Sequence, residues 1–267
     1  MQNFLIIPDY KDLDASLALA SAYGVGFEYN DFFTPAMLDD TAETDRRIDR
    51  YLASDLPSLC TMHGDFFDVL VFSDDREIRE ISKKRVRQSM DVARRLKAKG
   101  VVFHTNHTSF IKLPSYCDNF VNRNKEFFSE ICESYPEIDV YMENMFDTEP
   151  YLLSRLADEM KDVRNFGVCL DYAHASCFGR DIPIGEWVKS LAPYVKHLHI
   201  NDNDLTEDQH LPLGDGKIDW EEFAKYYHTC FTKQAPNPSG CTVLVEVNGI
   251  DRQKKSLDYL KKLGLLS

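Results

Sequence analysis

Eight short apolar or β-branched runs alternate with amphipathic helical stretches along the whole chain. The runs fall at 3–8, 25–29, 58–63, 100–104, 138–143, 166–171, 195–200 and 242–247. Helical periodicity fills about 11–22, 36–54, 77–99, 118–135, 150–163, 184–192, 220–231 and 251–264. Strand-helix order of this kind builds parallel sheets, because each crossover helix returns the chain to the same edge. Eight units with no linker or low-complexity segment predict an α/β chain folded as one (β/α)8 barrel domain over 1–267. An open doubly wound sheet is the alternative, but no Gly-x-Gly-x-x-Gly follows the first run to support it. Asp118 and Thr148 read as helix N-caps, and Gly100 and Gly167 sit where strands begin.

Composition narrows the partners. Acidic residues outnumber basic ones 44 to 31, a formal charge of −13 that disfavours a broad footprint on nucleic acid or an anionic membrane. No apolar run approaches the ~20 residues of a membrane span, and Met1-Gln2-Asn3 lacks the basic start of a signal peptide. Seven scattered cysteines with no Cys-x-x-Cys suggest reduced thiols rather than a disulfide framework or zinc finger. These features predict a cytoplasmic protein with no membrane partner, and they carry no signal for oligomeric state.

In a barrel of this type the site forms at the C-terminal ends of the strands. Six of the eight runs close on metal-ligand residue types: His63, His104, Glu143, Asp171, His199 and Glu246. His174 follows Asp171 by three residues, and the seventh loop adds Asp208-Gln209-His210 before the turn Leu213-Gly214-Asp215-Gly216. One histidine or carboxylate at a strand end commonly serves a loop carbonyl or caps a helix. Nine converging on one rim would repel or stay unsatisfied without a cation, so a divalent metal site is expected. His197 lies two residues before His199, on the same side one layer deeper, and is assigned to support rather than ligation.

The number of ligands bears on the number of ions. Nine divide into three ions with three protein ligands each, the count typical of open catalytic sites. Four carboxylates against three divalent ions leave a formal +2, suited to an anionic substrate. A single ion held by Glu143, Asp171, His199 and Glu246 would instead leave −1. Mixed nitrogen and oxygen ligation suits zinc, manganese or cobalt better than magnesium or calcium, so zinc or manganese at one to three ions per chain is expected.

At these residues the chain resembles the xylose isomerase-like TIM-barrel superfamily, which holds sugar isomerases and epimerases and also endonuclease IV. The stretches that carry the resemblance are Gly167 to His174 (GVCLDYAH), His197 to Asp202 (HLHIND), and Asp208-Gln209-His210 with Gly214-Asp215-Gly216-Lys217-Ile218-Asp219-Trp220. The resemblance implies that in the isomerase branch positions matching Glu143, Asp171, His199 and Glu246 hold one ion, the two glutamates serving as acid and base. It implies that in the endonuclease branch positions matching all nine residues hold three zinc ions. The chain departs from both patterns: Tyr172-Ala173 stands where the endonucleases have Thr-Cys, and Asp208 and His210 stand where many epimerases carry a sugar-gripping arginine.

The resulting expectation is a metal-dependent sugar or sugar phosphate isomerase or epimerase with Glu143 and Glu246 as catalytic residues. The alternative is an endonuclease IV-like three-zinc phosphodiesterase, and a non-catalytic metal- or sugar-binding protein stands third. The densest basic stretches, Lys83-Lys84-Arg85, Arg94-Arg95 and Lys97-Ala98-Lys99, belong to one helix whose C-terminal end points to the bottom of the barrel. The catalytic face offers only scattered Lys112, Arg123, Arg180 and Lys217, enough for one phosphate and thin for a duplex. A small sugar or sugar phosphate is therefore the expected partner, with Glu28, His107, Lys112 and Arg180 as substrate-binding candidates. Asp9 shares with Glu28 a strand-end position suited to sugar hydroxyls, and Phe66, Phe67 and Phe110 lie in loops that could roof the pocket.

Overall fold

A computed structural model describes residues 3–232 and 240–266. Eight parallel strands close into one barrel in sequence order: β1 (Phe4–Ile6), β2 (Gly26–Tyr29), β3 (Cys60–His63), β4 (Gly100–His104), β5 (Asp139–Glu143), β6 (Phe166–Asp171), β7 (Val195–Ile200) and β8 (Thr242–Val245). Between them run α1 (Leu13–Tyr23), α2 (Pro35–Asp39), α3 (Thr41–Leu52), α4 (Arg76–Leu96), α5 (Pro114–Ser134), α6 (Tyr151–Glu159), α7 (Tyr172–Cys177), α8 (Ile184–Leu191) and α9 (Trp220–Tyr226). The helix α10 (Ile250–Lys262) follows β8. The (β/α)8 barrel expected from the alternation is the fold. No helix among the described residues is long and apolar enough to cross a membrane.

The core has two compartments, as the two-faced strands of a closed barrel require. The larger lies between the barrel and its helices, where Phe27, Phe103, Phe128, Leu153, Trp187 and Leu257 are buried. Inside the barrel the apolar filling is small: Leu5, Ile7 and Leu244 form one cluster and Val102, Tyr141 and Cys169 another. Much of the remaining interior is polar, which is the first structural sign that function occupies it.

Three helix boundaries differ from the sequence reading. Pro114 supplies a preset first residue for α5, so the helix starts four residues early, and Asp118 pairs with Arg155 at 2.7 Å instead of capping. Thr148 precedes α6 without capping it; the cap position is Pro150. The stretch 36–54 breaks at Asp40, which leaves the helical conformation and accepts the Glu43 amide to start α3.

Barrel closure also depends on one close approach. A Cβ on Gly26 would sit 2.1 Å from the Leu59 carbonyl oxygen and 2.7 Å from Leu5 Cδ2. A backbone carbonyl cannot rotate away as a side chain can, so Gly26→Ala is expected to cost about 2–3 kcal/mol. Urea unfolding would show this as a lower midpoint at unchanged m-value.

Candidate metal centre

Strand register gathers the rim residues. His104 pairs with Glu143 and Glu143 with Cys169. A shift between Val168 and Cys169 brings Asp171 level with His199. Asp171 then ends its strand and begins α7 at once, its Oδ1 accepting the His174 amide at 2.6 Å. That cap fixes His174 one turn further on, over the same rim.

The nine ligand-type residues sort into three groups whose ligand atoms lie within 4.8 Å of one another. In the first, His63 Nε2 and His104 Nε2 stand 3.1 Å apart and 3.5 and 3.4 Å from Glu143 Oε2. In the second, His199 Nδ1 lies 3.2 Å from Glu143 Oε1 and 3.4 Å from Glu246 Oε2, with Asp171 completing the set. In the third, Asp208 Oδ2 is 3.2 Å from His174 Nε2 and 2.9 Å from His210 Nε2. Glu143 belongs to the first two groups, one oxygen turned to each. The third group shares no residue with either.

Asp208 and His210 reach the rim on a loop held by Asp202. The main chains of Asp202 and Leu211 exchange two hydrogen bonds, 2.9 and 2.8 Å. The buried Asp202 carboxylate accepts from the amides of Asn203, Gly214 and Ile218 and from Trp220 Nε1, at 2.8–3.2 Å. Gly216 leaves room for that carboxylate, since a Cβ there would meet Asp202 Oδ1 at 2.3 Å. His210 itself takes φ 46°, the left-handed region uncommon for a residue with a side chain.

Charge in the rim is unusual. Burial pushes the Asp171 carboxyl up to about 8 against the pull of His174, with Glu246 and Glu143 adding to the rise. Burial acts the same way on Glu143, but His199 and His104 outweigh it and hold that carboxyl well below its ordinary range. Burial disfavours the charged form of His210, yet Asp208 and Glu246 lift it to about 10. His174 is raised well above its ordinary value by Asp171 and Asp208 despite its burial. In the metal-free protein, protons therefore gather where cations would sit.

The residues fit divalent ions on a second count. Glu143 Oε2, Asp171 Oδ2, His199 Nδ1, Asp208 Oδ1 and Glu246 Oε2 are buried and make no directed hydrogen bond. Five orphaned ligand atoms in one dry rim are costly unless something positive meets them. Three carboxylates, a histidine and no thiolate in the second group, against nitrogen-rich first and third groups, suit a metal that takes mixed oxygen and nitrogen ligands, such as zinc or manganese.

Beside Glu246 and His210 opens a cavity of about 630 Å3, lined by the aromatic Phe33, Phe66 and Phe67 and by the polar Asp9, Lys11, Asn30, Asp31 and Arg47. Phe66 also packs against the rings of His63 and His104, centroids 4.9 and 4.4 Å away. The polar wall comes from the first two loops and α3 and escaped the sequence reading, apart from Asp9. Arg47 is held there by an i,i+4 pair with Glu43, closed at 2.7 Å.

The four residues expected to touch substrate are placed elsewhere. Glu28 is fully buried beneath the rim, within 3.1 Å of His199 Nε2 and 3.0 Å of His197 Nε2, and it accepts the Thr61 hydroxyl at 2.6 Å. Its carboxylate thus faces two histidines and is not among the residues lining the cavity. His107 is turned to Asp147 at 2.8 Å, Lys112 pairs with Glu149 at 2.6 Å, and Arg180 is exposed beside the Leu205 carbonyl. None of them lines the cavity. His197, one layer deeper as its spacing implies, stacks on Tyr141. Phe110 is 87% exposed and is not among the residues lining the cavity.

A family profile described as "Xylose isomerase-like TIM barrel" matches residues 17–263. "Probable endonuclease 4" of Protochlamydia amoebophila is 32% identical over 132 residues, 45% of this chain and 44% of that protein. The chain spans between 44% and 64% of the length of the curated relatives it matches. Among solved structures, TTHB071 protein from Thermus thermophilus, soaked with ZnCl2, superposes with TM-score 0.76 at 24% identity, covering 98% of each chain. A D-tagatose 3-epimerase-like protein superposes with TM-score 0.72 at 21% identity, covering 98% of this chain and 97% of that one.

Proposed function

The chain belongs to the xylose isomerase-like TIM-barrel family, and from that premise we propose that it is a three-metal phosphoester hydrolase acting on a small hydroxylated substrate. The observation that carries this reading is the third ligand group, His174, Asp208 and His210, which a one-ion isomerase does not need. His63, His104 and Glu143 would hold one ion, Glu143, Asp171, His199 and Glu246 a second, and the third group the last. Bound zinc or manganese would supply Lewis acidity toward phosphoryl oxygens and ease the ionisation of water at neutral pH. Glu143 would serve two of these sites, since one oxygen is turned to each group. Glu246, which lines the cavity and would offer Oε2 to the second ion, would keep its other carboxylate oxygen to take the proton from the attacking water. The cavity volume lies in the range of small-molecule pockets. The basic outer face gives no support for a nucleic acid partner, because Arg85, Arg87 and Arg94 of α4 are already paired with Asp39, Glu130 and Glu137.

The second reading is the sugar or sugar phosphate isomerase or epimerase. It is favoured by Glu143 and Glu246 flanking one ligand group, where one could remove a proton and the other return it. Elemental analysis of protein purified without chelator, followed by assays on phosphoesters and ketoses, separates the two. About three ions per chain and metal-dependent phosphate release are expected. About one ion with ketose interconversion would establish the second reading instead, and three ions without turnover of any phosphoester would overturn the first.

A further inference from the structure

The imidazoles of the rim do not all treat their far nitrogens alike. His63, His174 and His210 each turn Nε2 into the site and donate from Nδ1 to a main-chain carbonyl, those of Gly64, Asn144 and Glu246, at 3.0, 2.9 and 2.9 Å. His199 is reversed. Its Nδ1 faces Glu143 and Glu246, and its Nε2 is ion-paired with a carboxylate, Glu28 Oε1, at 3.1 Å, a close contact without a directed hydrogen bond.

We infer that Glu28 is a positioning residue of the metal centre, acting through His199 on the ion shared by Glu143, Asp171 and Glu246. This rests on the metal-centre reading above and extends it to a residue that touches neither ion nor substrate. A carboxylate behind a ligating imidazole fixes which nitrogen is free to ligate, holds the ring plane, and makes the imidazole a stronger donor. A main-chain carbonyl does the first two and little of the third. Glu28 is in turn immobilised: Thr61 donates to Oε2 at 2.6 Å, His197 Nε2 lies 3.0 Å away, and His197 is itself held by Thr242 Oγ1 at 2.5 Å and by stacking on Tyr141, ring planes 12° apart. A run of polar groups thus crosses the barrel floor and ends on one ligand. This explains why the interior beneath the rim carries the buried Glu28, Thr61 and His197 where an apolar layer would ordinarily fill a barrel.

The test is metal affinity of the full chain, stripped of metal and titrated with Co2+ against a competing chelator, with the cobalt absorption spectrum recorded. Wild type is expected to bind three ions. Glu28→Gln, which keeps shape and removes charge, should weaken one ion about 10- to 100-fold and alter its spectrum. The ion of the His174, Asp208 and His210 group should keep its affinity. Thr61→Val, which loosens Glu28 without removing its charge, should weaken the same ion by about tenfold or less, and it serves if Glu28→Gln does not fold. Unchanged affinities and spectrum in both variants would overturn the inference and leave the metal centre standing. A fourth ion in wild type, lost in Glu28→Gln, would also overturn it, since Glu28 would then be a ligand. Wild type that binds no ion would remove the metal-centre reading and this inference together.

Discussion

Replacing Glu143 by Gln is expected to empty two of the three ligand groups at once and to lower turnover by about 10³-fold or more. The reason is geometric. Oε1 faces His199 at 3.2 Å and Oε2 faces His63 and His104 at 3.5 and 3.4 Å, so one side chain serves both groups. An amide offers one weak neutral oxygen and turns two donor hydrogens toward whichever group it does not serve. Elemental analysis should fall from about three ions per chain to about one, the survivor being held by His174, Asp208 and His210. A variant that retained three ions would show that Glu143 is not shared.

Asp202→Ala should produce the largest loss of stability, about 4–5 kcal/mol, because it strands four donors at a fully buried position. Asn203, Gly214, Ile218 and Trp220 all direct N–H groups at that carboxylate. Asp202→Asn should cost roughly half as much, since Oδ1 serves Asn203 and Ile218 while Oδ2 serves Gly214 and Trp220, and only one oxygen survives. Urea unfolding measures the cost. A metal count on the folded fraction should show the third ion lost, because Asp208 and His210 depend on the same loop. Equal stability of Asp202→Ala and wild type would mean that the loop is anchored from elsewhere, for instance by Arg252 on the His210 carbonyl.

The barrel was legible in the sequence because buried parallel strands are apolar on both faces and stand out as short runs between amphipathic helices. The residues that cluster at the rim were legible for a related reason: a His, Asp or Glu that ends such a run breaks its apolar character. Less was visible where a residue has two duties. Asp171 closes β6 and caps α7, so that short helix, hidden inside the strand-to-loop transition, went unread. Glu28 illustrates another limit, since period-two alternation tells which way a side chain points but not how deep it sits. The aromatic and charged cavity walls depend on loops that fold back over the rim. Arg47, held by Glu43 and Asp31 and lying over the Tyr10 ring, has no local pattern announcing that arrangement.

The independence of the third ligand group has a consequence for how such a barrel can change. Two of its three members, Asp208 and His210, ride on one loop between the paired residues Asp202 and Leu211. On the proposed three-ion reading, substitutions confined to that loop would remove one ion and its share of positive charge while leaving the strands and the shared glutamate in place. On the proposed reading, exchanging that one loop segment would separate a three-ion centre suited to anionic esters from a smaller one suited to neutral sugars, with the barrel strands unaltered.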